Sequence, residues 1–205
     1  MSSYVKGTLV EAALNAVLIT ILLLPFQILM PQFAPYTPFL IIPAILFFAL
    51  RLPPRGLVPM VLSFLVGVAW GMVFALIGGP LIAAQPASAP LVLGVGVTLL
   101  VFAILAVHPL LLHKTPLSVV PAVLLGFVES LLVILVLSQI RTGPGAPTPL
   151  APPIGLLAIA GFFIYGAAMI AIMIPVTAIV TDAVAGKDWN PRRAPNSIET
   201  HIESA

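Results

Sequence analysis

Residues 38–46 read PFLIIPAIL, and residues 116–124 read PLSVVPAVL. Each stretch begins with Pro and places a second Pro five positions later. Ala, a branched residue and Leu follow in both. The copies lie 78 residues apart, and the meaning of the repetition depends on the medium in which the chain folds.

Composition fixes that medium. Of 205 residues, 61% are hydrophobic and 7% are charged, and the mean hydropathy is +1.23. A soluble domain carries about 25% charged residues. A chain this short cannot bury so large an apolar excess in water. The bilayer is the solvent that fits, so the sequence predicts an all-α, polytopic membrane protein.

Six apolar stretches follow one another at 8–30, 37–50, 56–79, 90–113, 116–139 and 152–183. A spanning helix needs about 20 residues. Five stretches meet that length, whereas 37–50 falls short and contains Pro38 and Pro43. It reads as a short tilted helix or a re-entrant segment. The first stretch lacks a small-residue cleavage pattern and is expected to stay in the mature protein. Charge then decides the number of crossings. Six crossings with both termini cytoplasmic put Lys6, Arg51, Arg55, Lys114, Lys187, Arg192 and Arg193 inside, and only Arg141 outside. That asymmetry follows the positive-inside rule. The expected plan is a transmembrane domain over 1–183, with repeat units 1–79 and 90–183, and a polar cytoplasmic tail over 184–205.

Within that plan the proline phrase opens the second and fifth helices, the middle members of two three-helix units. Three crossings per unit force the second unit to enter the membrane inverted, an arrangement that recurs in transporters. Pro43 and Pro121 are the expected helix breaks.

Polar and small residues supply the candidate sites. Ser63, Gly67, Gly71, Ala75 and Gly79 recur every fourth position in the third helix, a small-residue stripe that permits close helix packing. Trp70 beside it is expected to pack rather than to stack on a solute. In the fifth helix, Glu129 lies about 20 Å from Pro116 at 1.5 Å per residue, close to the membrane centre. Ser118, Ala122, Gly126, Glu129 and Ser130 share one sector, and Leu117, Val120, Leu124, Phe127, Val128, Leu131 and Leu135 cover the lipid side. An intramembrane carboxyl is costly unless paired, solvated or protonated. Glu129 therefore reads either as a proton-binding group on a solute path or as a protonated hydrogen-bonding group between helices. Asn15, Gln27 and His108 are weaker path candidates. Asp182 is expected to meet water, and Trp189 to anchor at the inner headgroups.

Several chemistries find no footing. The chain has no cysteine, which removes disulfides and thiolate sites. It contains no GxSxG, HExxH or phosphate-binding glycine loop. His108 and His113 are five apart, a spacing that does not bring both to one metal on a regular helix. The pI of about 9.3 comes from scattered loop charges rather than a basic stripe. No enzyme activity, cofactor, metal or nucleic-acid partner is expected.

The runs FFALRLPPRGLVPMVLSFLVGVAWGMV and PLLLHKTPLSVVPAVLLGFVES resemble the bacterial inner-membrane proteins of the domain-of-unknown-function 1097 family. Gly56, Leu57, Gly67, Val68, Trp70, Gly71, Pro121, Ala122 and Gly126 carry the likeness, which spans residues 38–135. The proline density and long C-terminal tail depart from the family pattern. The resemblance implies bacterial inner-membrane placement and transfers no functional residue. The function expected is that of a permease or channel for a small neutral or weakly acidic solute, proton-linked and oligomeric. A non-transporting subunit of a membrane complex is the alternative.

Overall fold

The computed structural model describes residues 2–112, 114–136, 152–187 and 189. The described residues are mainly helical and include no strand. Six helices matter here: α1 (Ser3–Ile28), α2 (Ile42–Ala49), α3 (Leu57–Ala84), α4 (Ala89–Leu111), α5 (Val120–Leu135) and α6 (Pro152–Ala185). Four of them are long and apolar enough to cross a membrane, and two shorter apolar helices accompany them. The chain is an all-α membrane protein. Helices satisfy every backbone N–H and C=O internally, which hydrocarbon demands.

The short second stretch gains reach from an unusual lead-in. A ten-residue 3₁₀ helix, Pro31–Leu40, carries Pro31, Pro35 and Pro38 and runs into α2. A 3₁₀ helix rises about 2.0 Å per residue, so this lead-in and the eight residues of α2 together extend about 32 Å, the thickness of a hydrocarbon core. The helix α2 itself is short, as expected for 37–50.

The proline phrase begins helices and breaks none. Pro43 and Pro121 both stand in the first turn of their helices, α2 and α5. There the missing N–H is an orphan in any residue, and the fixed φ suits the helix. The expectation of breaks at these residues is corrected. Interior prolines lie instead at Pro25, Pro80 and Pro175, and α3 continues through Pro80, where the sequence reading ended it at Gly79.

Two compact units divide the chain: Met1–Pro25 with Met169–Ala205, and Phe26–Ala168. In the first, Trp189 is buried and its Nε1 donates to Asp182 Oδ1 at 3.1 Å. The indole lies against Gly7, where a Cβ would collide with the ring. Trp189 therefore packs inside its unit. Asp182 is half buried and bonded rather than simply solvated.

The second unit holds the core. Ser63 of α3 meets Val119 at the start of α5, and Gly71 meets Ser130 further along it, so α3 and α5 run parallel. Gly155, at the start of α6, meets Val133 near the end of α5, so α6 runs the other way. The 3₁₀ lead-in and α2 follow α6, with Tyr36 beside Gly155 and with Leu40 and Pro43 beside Gly166. Each phrase helix thus lies along a long helix that runs parallel to it.

Those two long partners match. Residues 57–69, LVPMVLSFLVGVA, and 156–168, LLAIAGFFIYGAA, share Leu, Phe, Gly and Ala at equivalent positions. Position by position the two segments bury and expose the same sites, differing only at Leu65 and Ile164. The equivalent residues Phe64 and Phe163 stack on each other, 3.6 Å between ring centroids and 7° between planes. Oppositely directed segments that meet at equivalent residues have a local two-fold relation at that contact.

Candidate functional site

The α3–α5 contact is built from small residues on both sides. A Cβ at Gly67 would collide with the Val123 carbonyl oxygen, and one at Gly126 with the Phe64 carbonyl oxygen. At Gly71 it would collide with Ser130 Cβ. Backbones this close gain dispersion energy that larger side chains would forbid. Ser63 adds a cap. Its Oγ accepts from Val119 N–H at 3.1 Å and its hydroxyl reaches the Pro116 carbonyl at 3.5 Å, satisfying a backbone donor just ahead of α5.

The stripe read from the sequence divides along its length. Ser63, Gly67 and Gly71 are buried, Ala75 is half buried and Gly79 is exposed with nothing within 4 Å of a Cβ placed there. The reason is geometric. A spacing of four residues drifts about 40° per step on a 3.6-residue helix, which carries Gly79 about 160° from Ser63. Phe74 and Gly78 continue the buried face instead.

Phe127 also departs from its expected place. It is fully buried and packs with Phe74, Ile104 and Val123, with Trp70 alongside. Helix α5 is central, so only a narrow face, marked by Val128, Leu132 and Val136, is exposed.

Glu129 is 3% exposed. Neither carboxyl oxygen has a hydrogen-bond partner among the described residues. Ser130 next to it donates to the Gly126 carbonyl at 2.7 Å, the α-helical bond that serine makes when no outside acceptor draws it away. Ser118 lies before α5 in a turn, its N–H donating to Thr115 O at 3.3 Å and its carbonyl accepting from Val120 N–H at 2.9 Å. It therefore does not share the helical face of Glu129. Gly126 and Ser130 do stand within a turn of Glu129, and both face α3.

The remaining candidates are dispersed. Asn15 is half buried on α1 in the other unit. Gln27 and His108 belong to α1 and α4, but their side chains lie outside the described residues, as do His113, Arg141 and most of the C-terminal tail.

Apolar clefts open at the surface of the second unit, one of them along α4 at Pro90, Gly94 and Thr98. Another, of about 450 Å³, lies between α3 and α4, bounded by Phe74, Ile77, Leu81, Leu91, Val95 and Leu99. A third, about 300 Å³, is lined by Phe26, Met30, Phe33, Gly161, Phe162 and Tyr165. Glu129 lines none of these. Among the described residues no three acidic, histidine or cysteine side chains converge as a metal site would require.

The site that emerges is a closed one: a carboxyl sealed in helix packing, beside a glycine-rich contact. Comparison with known proteins adds no further assignment, because no family model, curated protein or solved structure matches the chain.

Proposed function

We propose that the chain is a permease for a small neutral or weakly acidic solute, with Glu129 as the proton-binding group of its path, described here in a closed state. The observation that carries this reading is the burial of the Glu129 carboxyl without a hydrogen-bond partner among the described residues. A carboxyl used only to join helices would be held by a donor or acceptor, because an unmatched buried polar group costs about 1–3 kcal/mol. An intramembrane carboxyl without such a bond therefore fits a proton-binding role on a path better than a joining one. The crossed pairing of α3 with α5 and of the α2 segment with α6 supports an inverted three-plus-three plan, the architecture of many secondary transporters. The seven-to-one charge asymmetry and the family resemblance support placement in a bacterial inner membrane with both termini inside.

The test is solute entry into proteoliposomes, followed by stopped-flow light scattering. Urea, glycerol, formamide, acetate and water form the panel, each at two pH values. Selective, pH-dependent entry that Glu129→Gln removes supports the reading. Entry equal to that of empty liposomes for every solute opposes it.

The second reading, a non-transporting subunit, has its own observation. Gly79, Gly94 and Gly161 present open space where a Cβ would stand, so small residues face outward on α3, α4 and α6. Under that reading Gly79→Leu or Gly94→Leu releases a membrane partner, and Glu129→Gln is silent.

A further inference from the structure

We propose that Tyr36, braced against Gly155, is the closure over Glu129, and that movement of the 3₁₀ segment Pro31–Leu40 opens the site on the side where α5 ends. The inference rests on the reading of Glu129 as a path residue and adds the place from which it is reached.

The geometry runs outward from Glu129. Val133 is one turn further along α5, about 40° round the helix from Glu129. Ser130, which faces α3, lies about 100° away, so Glu129 sits on the side of Val133 remote from α3. Val133 touches α6: a Cβ at Gly155 would stand 2.6 Å from Val133 Cγ1. The same point is 3.2 Å from the Tyr36 hydroxyl oxygen and 3.7 Å from Tyr36 Cε1. Tyr36 thus packs one turn above Glu129, across a gap that only glycine at 155 leaves open. It is 1% exposed, and its ring is followed by the buried Phe39 and Leu40.

The segment that carries Tyr36 is suited to move. Ten residues of 3₁₀ helix is far beyond the three or four that are common. Its interior prolines at 35 and 38 remove ladder donors, so it is held more by packing than by its own ladder. By contrast, α5 under Glu129 is fixed to α3 at Gly67, Gly71 and Gly126. One wall of the site is clasped backbone to backbone, and the other is held by side-chain packing: Tyr36 against Gly155, Leu40 and Pro43 against Gly166, and Phe33 edge-on to Phe162. Tyr36 also brings a hydroxyl to that wall, beyond Val133 on the way out from Glu129.

The natural absence of cysteine makes access measurable without reference to any solute. Glu129→Cys and, separately, Ser130→Cys introduce single thiols, which are reacted in membranes with a charged methanethiosulfonate. Both react slowly in the parent background. Adding Tyr36→Ala speeds reaction at position 129 by about tenfold or more, since truncating a buried aromatic is costly enough to shift a local opening equilibrium by that factor. Position 130, which faces α3, stays slow. Gly155→Ala is the second variant, because its methyl displaces Tyr36 and Val133 without removing a ring, and it gives the same selective acceleration. Tyr36→Phe keeps the ring and leaves the rate low. An unchanged rate at 129 in both Tyr36→Ala and Gly155→Ala overturns the proposal. Equal acceleration at 129 and 130 also overturns it, by showing general loosening. Because labelling reads access and not flux, a failed solute panel with selective acceleration refutes the permease reading and leaves the closure standing.

Discussion

A buried carboxyl without a partner among the described residues makes opposite predictions for stability and for function. If Glu129 stabilised the fold, removing it would leave a gap in a hydrogen-bond network. Its oxygens have no such network among the described residues, so replacing them removes a desolvated group that gave little in return. Glu129→Leu, which removes the buried polar atoms, is therefore expected to leave the thermal midpoint in detergent unchanged or raised, and Glu129→Gln, which keeps an amide there, to leave it unchanged, while solute entry is lost in both. A fall of several degrees in both would identify a structural carboxyl. The position of this residue was legible from the sequence because one acidic side chain in the apolar run of 116–139 stands out against hydrocarbon. Its surroundings were not. The contacts next to it, Gly155 and Tyr36 around Val133, come from distant parts of the chain, and nothing in the local pattern of α5 names them.

Among the helices, the α3–α5 contact is the strongest element. Gly67→Leu, Gly71→Leu and Gly126→Leu each force a side chain into a neighbouring backbone or Cβ. Overpacking of this kind costs about 1–3 kcal/mol or more, and thermal unfolding in detergent should register it at all three positions. Gly79→Leu, with nothing within 4 Å, should leave that midpoint unchanged. Ser63→Ala, which strips the bond to Val119 N–H, should cost about 1 kcal/mol, as helix caps do. Half of this element could be read in advance. The i+4 glycine spacing announced close packing, but an exact four-residue step outruns the helix, and Gly78 rather than Gly79 stays on the buried face. The proline phrase was also half legible. Its two copies do serve matching roles, as openings of α2 and α5. The helical start falls at the second proline of each because a proline there loses no bond.

Across the second unit, equivalent segments of α3 and α6 run in opposite directions and meet at Phe64 and Phe163. The sequence contains this echo, in Gly56, Leu57, Phe64, Gly67 and Ala69 against Gly155, Leu156, Phe163, Gly166 and Ala168. Against a background of Leu, Val and Ala those identities are faint, and only the shared pattern of burial makes them plain. The two halves are unequal where function is placed. Glu129 stands eight residues beyond Pro121, and the same distance beyond Pro43 reaches Arg51, outside α2 and at φ 51°. In the proposal, Glu129 is the path group of this framework, beside the clasp of α5 to α3 and under the closure by Tyr36. The most direct test of that account uses the unaltered protein. Dicyclohexylcarbodiimide partitions into membranes and adds to protonated carboxyls in apolar surroundings, and peptide mass spectrometry locates the adduct. The account predicts an adduct on Glu129, with entry of the solute found by the panel falling in proportion to the fraction labelled. Full entry with Glu129 fully labelled, or complete loss of entry with Glu129 unmodified, would contradict it.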